Sequence, residues 1–261
     1  MRYVGVLIPL LLFASVPVHC QDLSIDGPPR AELVEGAAYG FSWNAGGAET
    51  VDILIQGTRA PLGDQARGTF EIVLARKLPA VESETTCTLP WMDSLKFTLK
   101  MIGRDGAGKK VSSGERTYRF RPASLANRID DGVYVDLHQK TNQRLYVETG
   151  GVITRTYICS SSIAYHWLPT NVHPKDPHDH AGVFKVLSKA EMVHSHQYDV
   201  DMPWAMQYLS GHFIHATSPP FYKLLGRPAS HGCIRLHRQD ARELYGLTPA
   251  GARVEVIGPH K

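Results

Sequence analysis

The chain has 261 residues, of which 43% are hydrophobic, and its formal net charge is +3. This length is enough to bury a sizeable core and favours two domains. The near-balanced charge, without a long basic run, argues against nucleic acid as a partner.

Residues 1–20 have the composition of a secretory signal peptide. Arg2 gives a positive start, residues 4–18 are almost wholly apolar, and the chain turns polar at Gln21. This apolar run is short for a membrane span, and no later stretch is long enough for one. We therefore expect an exported protein of the periplasm or cell envelope, with no membrane span. Cys20 leaves a lipid anchor as the alternative.

Residues 23–122 are predicted to form a β-sandwich. Runs rich in strand-forming residues are separated by turns that contain Gly and Pro. The predicted strands are 39–43, 51–55, 69–74 and 95–101, followed by a turn at 105–108 and a last strand at 117–120. This spacing resembles an immunoglobulin-like or fibronectin type III-like module, with Trp43 as a core anchor. The module either binds the cell wall or positions the second domain, or it is a spacer.

Three cysteines remain after cleavage of the signal peptide: Cys87, Cys159 and Cys233. Exported proteins commonly oxidise their cysteines, and an odd number leaves at least one thiol over. If Cys233 is that thiol, Cys87 and Cys159 either pair in a disulfide or are two separate buried thiols.

A second β-rich domain with short helices is predicted over residues 127–258, after a joint at 121–124. The predicted strands are 132–137, 143–148, 152–158, 182–186, 211–216 and 252–257, and the predicted helices are 219–226 and 239–245, the latter ending at Gly246. The fold class predicted for the whole chain is therefore mainly β.

A loop with four histidines is predicted at residues 160–181. These histidines are His166, His173, His178 and His180. Their irregular spacing among prolines lacks the pattern of a zinc site, so we expect a surface loop or lid, with no metal and no other cofactor. The alternative, a metal-dependent hydrolase, predicts an activity that a chelator removes.

The stretch from His215 to Leu236 has the composition of a cysteine acyl-transfer site. A cysteine attacks as its thiolate, and its ordinary pKa of about 8.5 leaves it mostly protonated at neutral pH, so an imidazole usually activates it. Fourteen residues separate His215 from the tetrad Ser230-His231-Gly232-Cys233. Gly232 allows a tight turn in which main-chain N–H groups can meet a developing oxyanion.

This pattern resembles the signature of the L,D-transpeptidases of the YkuD family, the cysteine enzymes that remodel bacterial peptidoglycan. The resemblance covers about residues 129–257. Its further matches are Val135-Asp136-Leu137, Gly182, Phe184, Met202-Pro203 and Asp240-Ala241. It implies that Cys233 is the nucleophile and His215 the general base, oriented by a backbone carbonyl near Ala216 instead of a carboxylate. His231 is a further catalytic candidate.

The same resemblance implies roles for three neighbours of the nucleophile. Ser230 and Gly232 shape the pocket, and N–H groups around Gly232 and Cys233 form the oxyanion hole. Arg235 stands where many relatives have asparagine. Its guanidinium either binds a substrate carboxylate or forms a structural ion pair.

The implied reaction is a two-step acyl transfer on a peptidoglycan tetrapeptide stem. Cys233 attacks the carbonyl of the third stem residue and expels D-alanine, and an amine resolves the thioester. That amine belongs to another stem, giving a crosslink, or to a lysine of an anchored wall protein. With water as the acceptor, the protein is a carboxypeptidase or endopeptidase. A wall-binding protein with an inactive catalytic domain is the remaining alternative.

Overall fold

The structure is a computed structural model that describes residues 23–29, 31–45, 47–137, 142–162 and 181–258. It is mainly β with few short helices, as predicted. The segment predicted as a signal peptide lies outside the described residues. Among those that are described, no helix has the length and apolar character needed to cross a bilayer.

The part of the chain before Pro122 forms two sheets around one core. Its strands are β1 Ser24–Asp26, β2 Glu32–Val34, β3 Ala38–Asn44, β4 Thr50–Thr58, β5 Thr69–Pro79, β6 Glu84–Thr88, β7 Lys96–Arg104 and β8 Lys110–Arg121. One sheet has the order β1-β3-β6 and the other β2-β8-β7-β4-β5. Buried and partly buried residues alternate along β7, so one of its faces lies in the core. Trp43 lies in the same core, as predicted.

The part after Pro122 forms a single described sheet with one α-helix. Its elements are β9 Gly132–Asp136, β10 Arg144–Thr149, β11 Val152–Ser160, β12 Gly182–Lys185, β13 Ser188–Ser195, β14 Val200–Leu209, β15 His212–Ala216, β16 Ile234–Leu236, α1 Arg238–Leu247 and β17 Arg253–Ile257. The sheet order is β12-β17-β9-β10-β11-β16-β15-β14-β13. Helix α1 lies against β14 and β15. The short helix predicted at 219–226 is a 3-10 helix, Pro219–Leu224.

The prediction that the last helix ends at Gly246 is wrong. Helix α1 continues past this glycine, and Thr248 N–H still donates to the Leu244 carbonyl at 3.0 Å. Lys189 Nζ binds the carbonyls of Tyr245 and Thr248 at 2.5 and 2.6 Å. A lysine from β13 therefore satisfies carbonyls at the helix end, where a glycine cap is one of the other solutions.

The two cysteines outside the motif do not pair. Cys87 is buried in the core of the first part of the chain, and Cys159 is buried in the core of the second. The alternative of a disulfide between them is therefore wrong. Burial raises the pKa of the Cys87 thiol, which makes it less reactive.

Buried ion pairs join the two parts of the chain. Arg121, at the end of β8, is 3% exposed and lies 2.9 Å from the carboxylate of Glu148 on β10. Asp93, from the loop before β7, lies 3.0 Å from Arg144 on β10, and both side chains are 3% exposed. Removing one member of such a pair leaves a buried charge without its partner, so these contacts fix the first part of the chain against the second.

A third contact places a turn of the first part on the start of helix α1. The N–H of Gly63 donates to Asp240 Oδ2 at 3.2 Å. A Cβ at Gly63, whose φ is +60°, would lie 2.2 Å from His237 Nδ1, so only glycine fits this approach. Burial raises the pKa of Asp240 to about 6. The hydrogen bond from Gly63 lowers it, and Glu243 raises it by a smaller amount.

We expect Asp240→Asn to stabilise the protein at neutral pH. The folded protein keeps the Asp240 proton up to about pH 6, whereas the unfolded chain loses it near pH 3.8. The contribution of Asp240 to stability is therefore present below pH 3.8 and is lost as the pH rises to about 6. Asparagine keeps an acceptor for Gly63 N–H. It should raise the free energy of unfolding at pH 8 by about 1–3 kcal/mol and change it little at pH 4.

Urea unfolding of both proteins at pH 4 and pH 8 measures this difference. The N-terminus of helix α1 favours the charged carboxylate by up to about 2 kcal/mol in a partly buried geometry, but the pKa of Asp240 is still raised, so this term should not reverse the sign. Glu115→Gln, at an exposed carboxylate on β8 that pairs with Lys100, is the control and should change stability by less than about 1 kcal/mol. If Asp240→Asn is less stable than the wild type at pH 8, the ionised carboxylate of Asp240 does not destabilise the folded protein and the prediction is wrong.

Candidate active site

Adjacent parallel strands bring His215 and the cysteine segment together. Strand β16 lies between β11 and β15, and it pairs with β15 so that His215 is opposite Arg235. Cys233 immediately precedes β16, two residues before Arg235. Ile214 and Ile234 face the opposite side, where they are buried in the core. Apolar residues on one face thus hold the two strands in the register that places the polar residues together on the other.

The imidazole of His215 is held in one orientation and one tautomer. Its side chain is buried, and Nδ1 lies 2.8 Å from the carbonyl oxygen of Ala216. Since a carbonyl only accepts hydrogen bonds, Nδ1 carries the proton and the lone pair is on Nε2. Burial lowers the pKa of His215 to about 4. The hydrogen bond to Ala216 raises this pKa, and the nearby charge of Arg235 lowers it. At neutral pH the imidazole is therefore uncharged and can accept a proton.

Ser230 organises the turn that carries the nucleophile candidate. Its hydroxyl donates to the Cys233 carbonyl at 2.6 Å and accepts the Gly232 N–H at 3.2 Å. Gly232 has a φ of +138°, a conformation that residues with a Cβ rarely adopt. Ser230 is itself completely buried, and Cys233 is half-buried.

The position of the Gly232 amide differs from what the sequence led us to expect. We predicted that N–H groups around Gly232 and Cys233 form the oxyanion hole, but in the structure the Gly232 N–H donates to Ser230 Oγ. Ser230 likewise acts on the turn through its hydroxyl and not on an open pocket. The geometry therefore gives these two residues a part in shaping the backbone on either side of Cys233.

His231, the second histidine of the motif, is exposed and stacks on Tyr198. The ring centroids are 4.9 Å apart and the planes make an angle of 18°. Tyr198 lies in the turn between β13 and β14 and is 42% exposed. This contact joins the β13–β14 hairpin to the cysteine turn.

Arg235 lies within electrostatic range of both reactive groups. Burial lowers the pKa of Arg235, and Cys233 raises it. One guanidinium nitrogen donates to the Ala229 carbonyl at 2.8 Å, and the guanidinium lies 5.6 Å from the centre of the Phe221 ring. Across the described ranges, no carboxylate lies within ion-pair distance of it, so the structural ion pair that we weighed is not found there.

The metal alternative finds no support in the described part of the chain. No group of three or more His, Cys, Asp or Glu side chains there is placed to hold a metal ion. The four histidines at 166, 173, 178 and 180 lie outside the described residues.

Sequence reasoning missed several residues that contact this site. They are Tyr198, Phe221, Gln143 and Ser161, of which the last two support the segment that leads into Ser230. Tyr198 carried a weak signal, because an exposed aromatic residue near a hairpin turn often marks a contact surface. Gln143 and Ser161 carried none, since an isolated polar residue beside a strand has no distinctive pattern.

The second part of the chain is thus β-rich, and its parallel strands β15 and β16 bring an uncharged histidine to the side of a cysteine turn. Residues 130–256, just under half of the chain, match the model of the YkuD family, described as an L,D-transpeptidase catalytic domain. This part of the chain is therefore a YkuD L,D-transpeptidase catalytic domain. A comparison with curated protein sequences gave no match.

Solved structures of L,D-transpeptidases are similar to the chain. One from Stackebrandtia nassauensis is 24% identical over 53% of this chain and 62% of its own, with a TM-score of 0.41. One from Xylanimonas cellulosilytica is 25% identical over 52% of this chain and 64% of its own, with a TM-score of 0.40. One from Mycobacterium smegmatis is 17% identical over 91% of this chain and 99% of its own, with a TM-score of 0.38. The chain thus spans less than two thirds of the length of the Stackebrandtia and Xylanimonas structures. The assignment of residues 130–256 rests on the family match.

Proposed function

We propose that the protein is a peptidoglycan L,D-transpeptidase that uses Cys233 as its nucleophile. The observation that carries this proposal is the fixed tautomer of His215. Its Nδ1–H is bound to the Ala216 carbonyl, which leaves the lone pair on Nε2. The strand that carries this imidazole, β15, pairs with β16, which follows directly after Cys233. The family match of the domain supports a peptidoglycan stem as the substrate.

The first step forms a thioester and releases D-alanine. As Nε2 of His215 takes the thiol proton, the sulfur of Cys233 bonds to the carbonyl carbon of the third stem residue. The tetrahedral intermediate then collapses, the C–N bond to D-alanine breaks, and the imidazolium returns its proton to the leaving amine. Because the pKa of His215 is lowered to about 4, the resting pair is a thiol and an uncharged imidazole, and the proton moves during attack.

The second step transfers the acyl group from sulfur to an acceptor. An amine attacks the thioester, loses a proton to His215 and leaves an amide, while the thiol is restored. The side-chain amine of another stem gives a crosslink, and a lysine of a wall protein gives an anchored protein. Water gives hydrolysis in place of transfer. The composition of residues 1–20 supports a reaction site in the periplasm or cell envelope.

The oxyanion of each intermediate needs donors at the cysteine turn. Main-chain N–H groups around Cys233 are the candidates, and that of Gly232 can contribute only by leaving Ser230 Oγ. For His231, which is exposed and stacks on Tyr198, we infer a part in lining the approach to Cys233 and not in proton exchange.

Arg235 is proposed to bind the terminal carboxylate of the donor stem. Its guanidinium is half-buried, is near Cys233 and has no carboxylate within ion-pair distance in the ranges that the structure describes. A partly desolvated guanidinium binds a carboxylate through two parallel hydrogen bonds. The leaving D-alanine carries such a group.

We therefore expect Arg235→Gln to raise the KM for a tetrapeptide donor by about 10- to 100-fold, the loss of a charged hydrogen-bonded pair. The control substrate is the same tetrapeptide donor with its terminal carboxylate converted to an amide. The wild type should discriminate against the amide, and Arg235→Gln should treat acid and amide alike. If the variant retains the wild-type preference for the acid, Arg235 does not bind that carboxylate.

The experiment that tests the proposed function is incubation of the purified protein, without residues 1–20, with tetrapeptide muropeptides. Mass analysis should show release of D-alanine. Dimers among the products indicate transfer and tripeptides indicate hydrolysis. No release of D-alanine from any tetrapeptide donor would contradict the proposal, as would an activity that a chelator abolishes.

A further inference from the structure

Gln143 is a completely buried polar residue outside the cysteine–histidine pair. It lies directly before β10, and none of its side chain is exposed. Its Nε2 donates to Ser161 Oγ at 2.8 Å, and its Oε1 accepts the Ser161 N–H at 2.9 Å. Both ends of the amide are thus bound to one serine. This pair of bonds fixes both the main chain and the side chain of Ser161.

Ser161 holds the segment that leads into the cysteine turn. Its carbonyl accepts the N–H groups of Ala229 and Ser230, each at 2.8 Å. Ser230 in turn donates its hydroxyl to the Cys233 carbonyl. Gln143, Ser161 and Ser230 therefore form a short chain of buried hydrogen bonds that ends at the main chain of Cys233.

The main chain of Gln143 makes a second set of bonds in the same region. Its N–H donates to the Gly226 carbonyl at 2.9 Å, and its carbonyl accepts the Cys159 N–H at 3.2 Å. Residue 143 thus joins the end of β11 to both ends of the segment between Gly226 and Ser230. A displacement of residue 143 would therefore displace the main chain of the cysteine turn at 230–233.

The first part of the chain reaches this position through Arg144. The Gln143 carbonyl also accepts a hydrogen bond from the Arg144 guanidinium at 2.9 Å. Arg144 is paired with Asp93 at 3.0 Å, and Asp93 also forms an ion pair with Arg67. A buried network therefore runs from the loop before β7 to the residue that supports Ser161.

We propose that Gln143 is a positioning residue that sets the place of the Cys233 sulfur relative to the His215 imidazole. It acts through Ser161 and Ser230, and the Asp93–Arg144 pair ties it to the first part of the chain. This inference rests on the proposed function of Cys233 and His215. Since a displacement of about 1 Å can lower a rate by about 100-fold, these distant bonds affect catalysis without contacting substrate.

The test variant is Gln143→Met, which keeps the volume of the side chain and removes both hydrogen bonds to Ser161. In the protein without residues 1–20, we expect kcat for D-alanine release to fall by about 10- to 100-fold while KM changes by less than about threefold. The rate of Cys233 alkylation by iodoacetamide at neutral pH should also fall, because His215 is no longer placed to take the thiol proton. Peptide mass analysis assigns the alkylation to Cys233, and thermal unfolding checks the fold.

Gln207→Met is the matched control. Gln207, on β14 of the same sheet, accepts a hydrogen bond from Ser188 Oγ at 3.1 Å and lies outside the chain of bonds from Gln143 through Ser161 to Ser230, so its replacement should leave kcat and the alkylation profile unchanged. Ser161→Ala removes the acceptor of Gln143 Nε2, keeps the Ser161 N–H bond to Gln143 Oε1, and should shift both quantities in the same direction by a smaller factor. If Gln143→Met does not fold, Ser161→Ala decides the question.

A folded Gln143→Met, or a folded Ser161→Ala in its place, with the wild-type kcat and alkylation profile would overturn the proposal. So would an equal effect of Gln207→Met. If the wild type releases no D-alanine, the proposed function fails, whereas the alkylation profile still shows whether Gln143 positions the thiol.

Discussion

Replacing Cys233 with alanine is expected to abolish the release of D-alanine from tetrapeptide donors. The sulfur forms the bond to the acyl group, so its removal leaves no route to the thioester, and we expect a loss of at least about 10⁴-fold in kcat/KM. Cys233 is half-buried and sits on a turn that Ser230 holds by its own hydroxyl, so alanine should leave the fold intact. Release of D-alanine measured by mass and thermal unfolding measured by circular dichroism check both parts of this expectation.

Cys87→Ala is the control for the loss of a thiol. Cys87 is buried in the core of the first part of the chain, away from the sheet that carries the site. We expect this variant to lose some stability and to keep its activity. D-alanine release by Cys233→Ala at more than about a hundredth of the wild-type rate would show that another group performs the attack.

Replacing His215 with glutamine is expected to lower kcat/KM by about 10²- to 10⁴-fold, the usual contribution of a general base. In the wild type, the base is active in its uncharged form, so activity is lost as the pH falls through the pKa of His215. Because burial lowers that pKa to about 4, kcat/KM should stay level down to about pH 5 and fall only near pH 4. A histidine with an ordinary pKa of about 6.5 would lose activity near neutral pH.

His212→Gln is a matched control on the same strand. His212 is also buried, and its Nδ1 also lies near a backbone carbonyl, that of Ser210 at 3.0 Å. It has no role in the proposed reaction, so its replacement should change kcat/KM by less than about threefold in a folded protein. An acid limb in the wild type near pH 6.5, or equal losses in the two variants, would contradict the assignment of His215.

The sequence predicted His215 and Cys233 as the reactive pair because the two residues are close in the chain. His215 and Cys233 lie within one short stretch, and a nucleophile beside a base is a recognisable pattern. The strand that carries His215 was also predicted, at 211–216. What could not be predicted was the register, because β16 has only three residues and its other neighbour, β11, ends at Ser160, far earlier in the chain.

Two other differences have physical causes. Strand β13 was missed because it lies at the edge of the described sheet, pairs with β14 alone among the described strands and buries few of its side chains, so its sequence lacks an apolar alternation. The end of helix α1 was wrong because Lys189, 56 residues before Tyr245, binds its carbonyls. Contacts of this kind depend on the completed fold. Gln143 belongs with them, since its importance comes from the two segments that meet at its side chain and not from any pattern around it.

The contacts between the two parts of the chain favour a positioning role for the first. Its loops reach helix α1 through Gly63 and reach strand β10 through Asp93. A spacer that acted only through its length would not need buried ion pairs with the catalytic domain. The contacts of Gly63 and Asp93 therefore support the prediction that the first part of the chain positions the second.

The most direct test of the central claim is the mass of the acylated enzyme. When the protein without residues 1–20 is mixed with a tetrapeptide donor and quenched with acid, its mass should increase by that of the donor minus D-alanine. Digestion should place the added mass on the peptide that contains Cys233. An adduct on any other residue, or D-alanine release with no covalent adduct under conditions that trap a thioester, would contradict acyl transfer through Cys233.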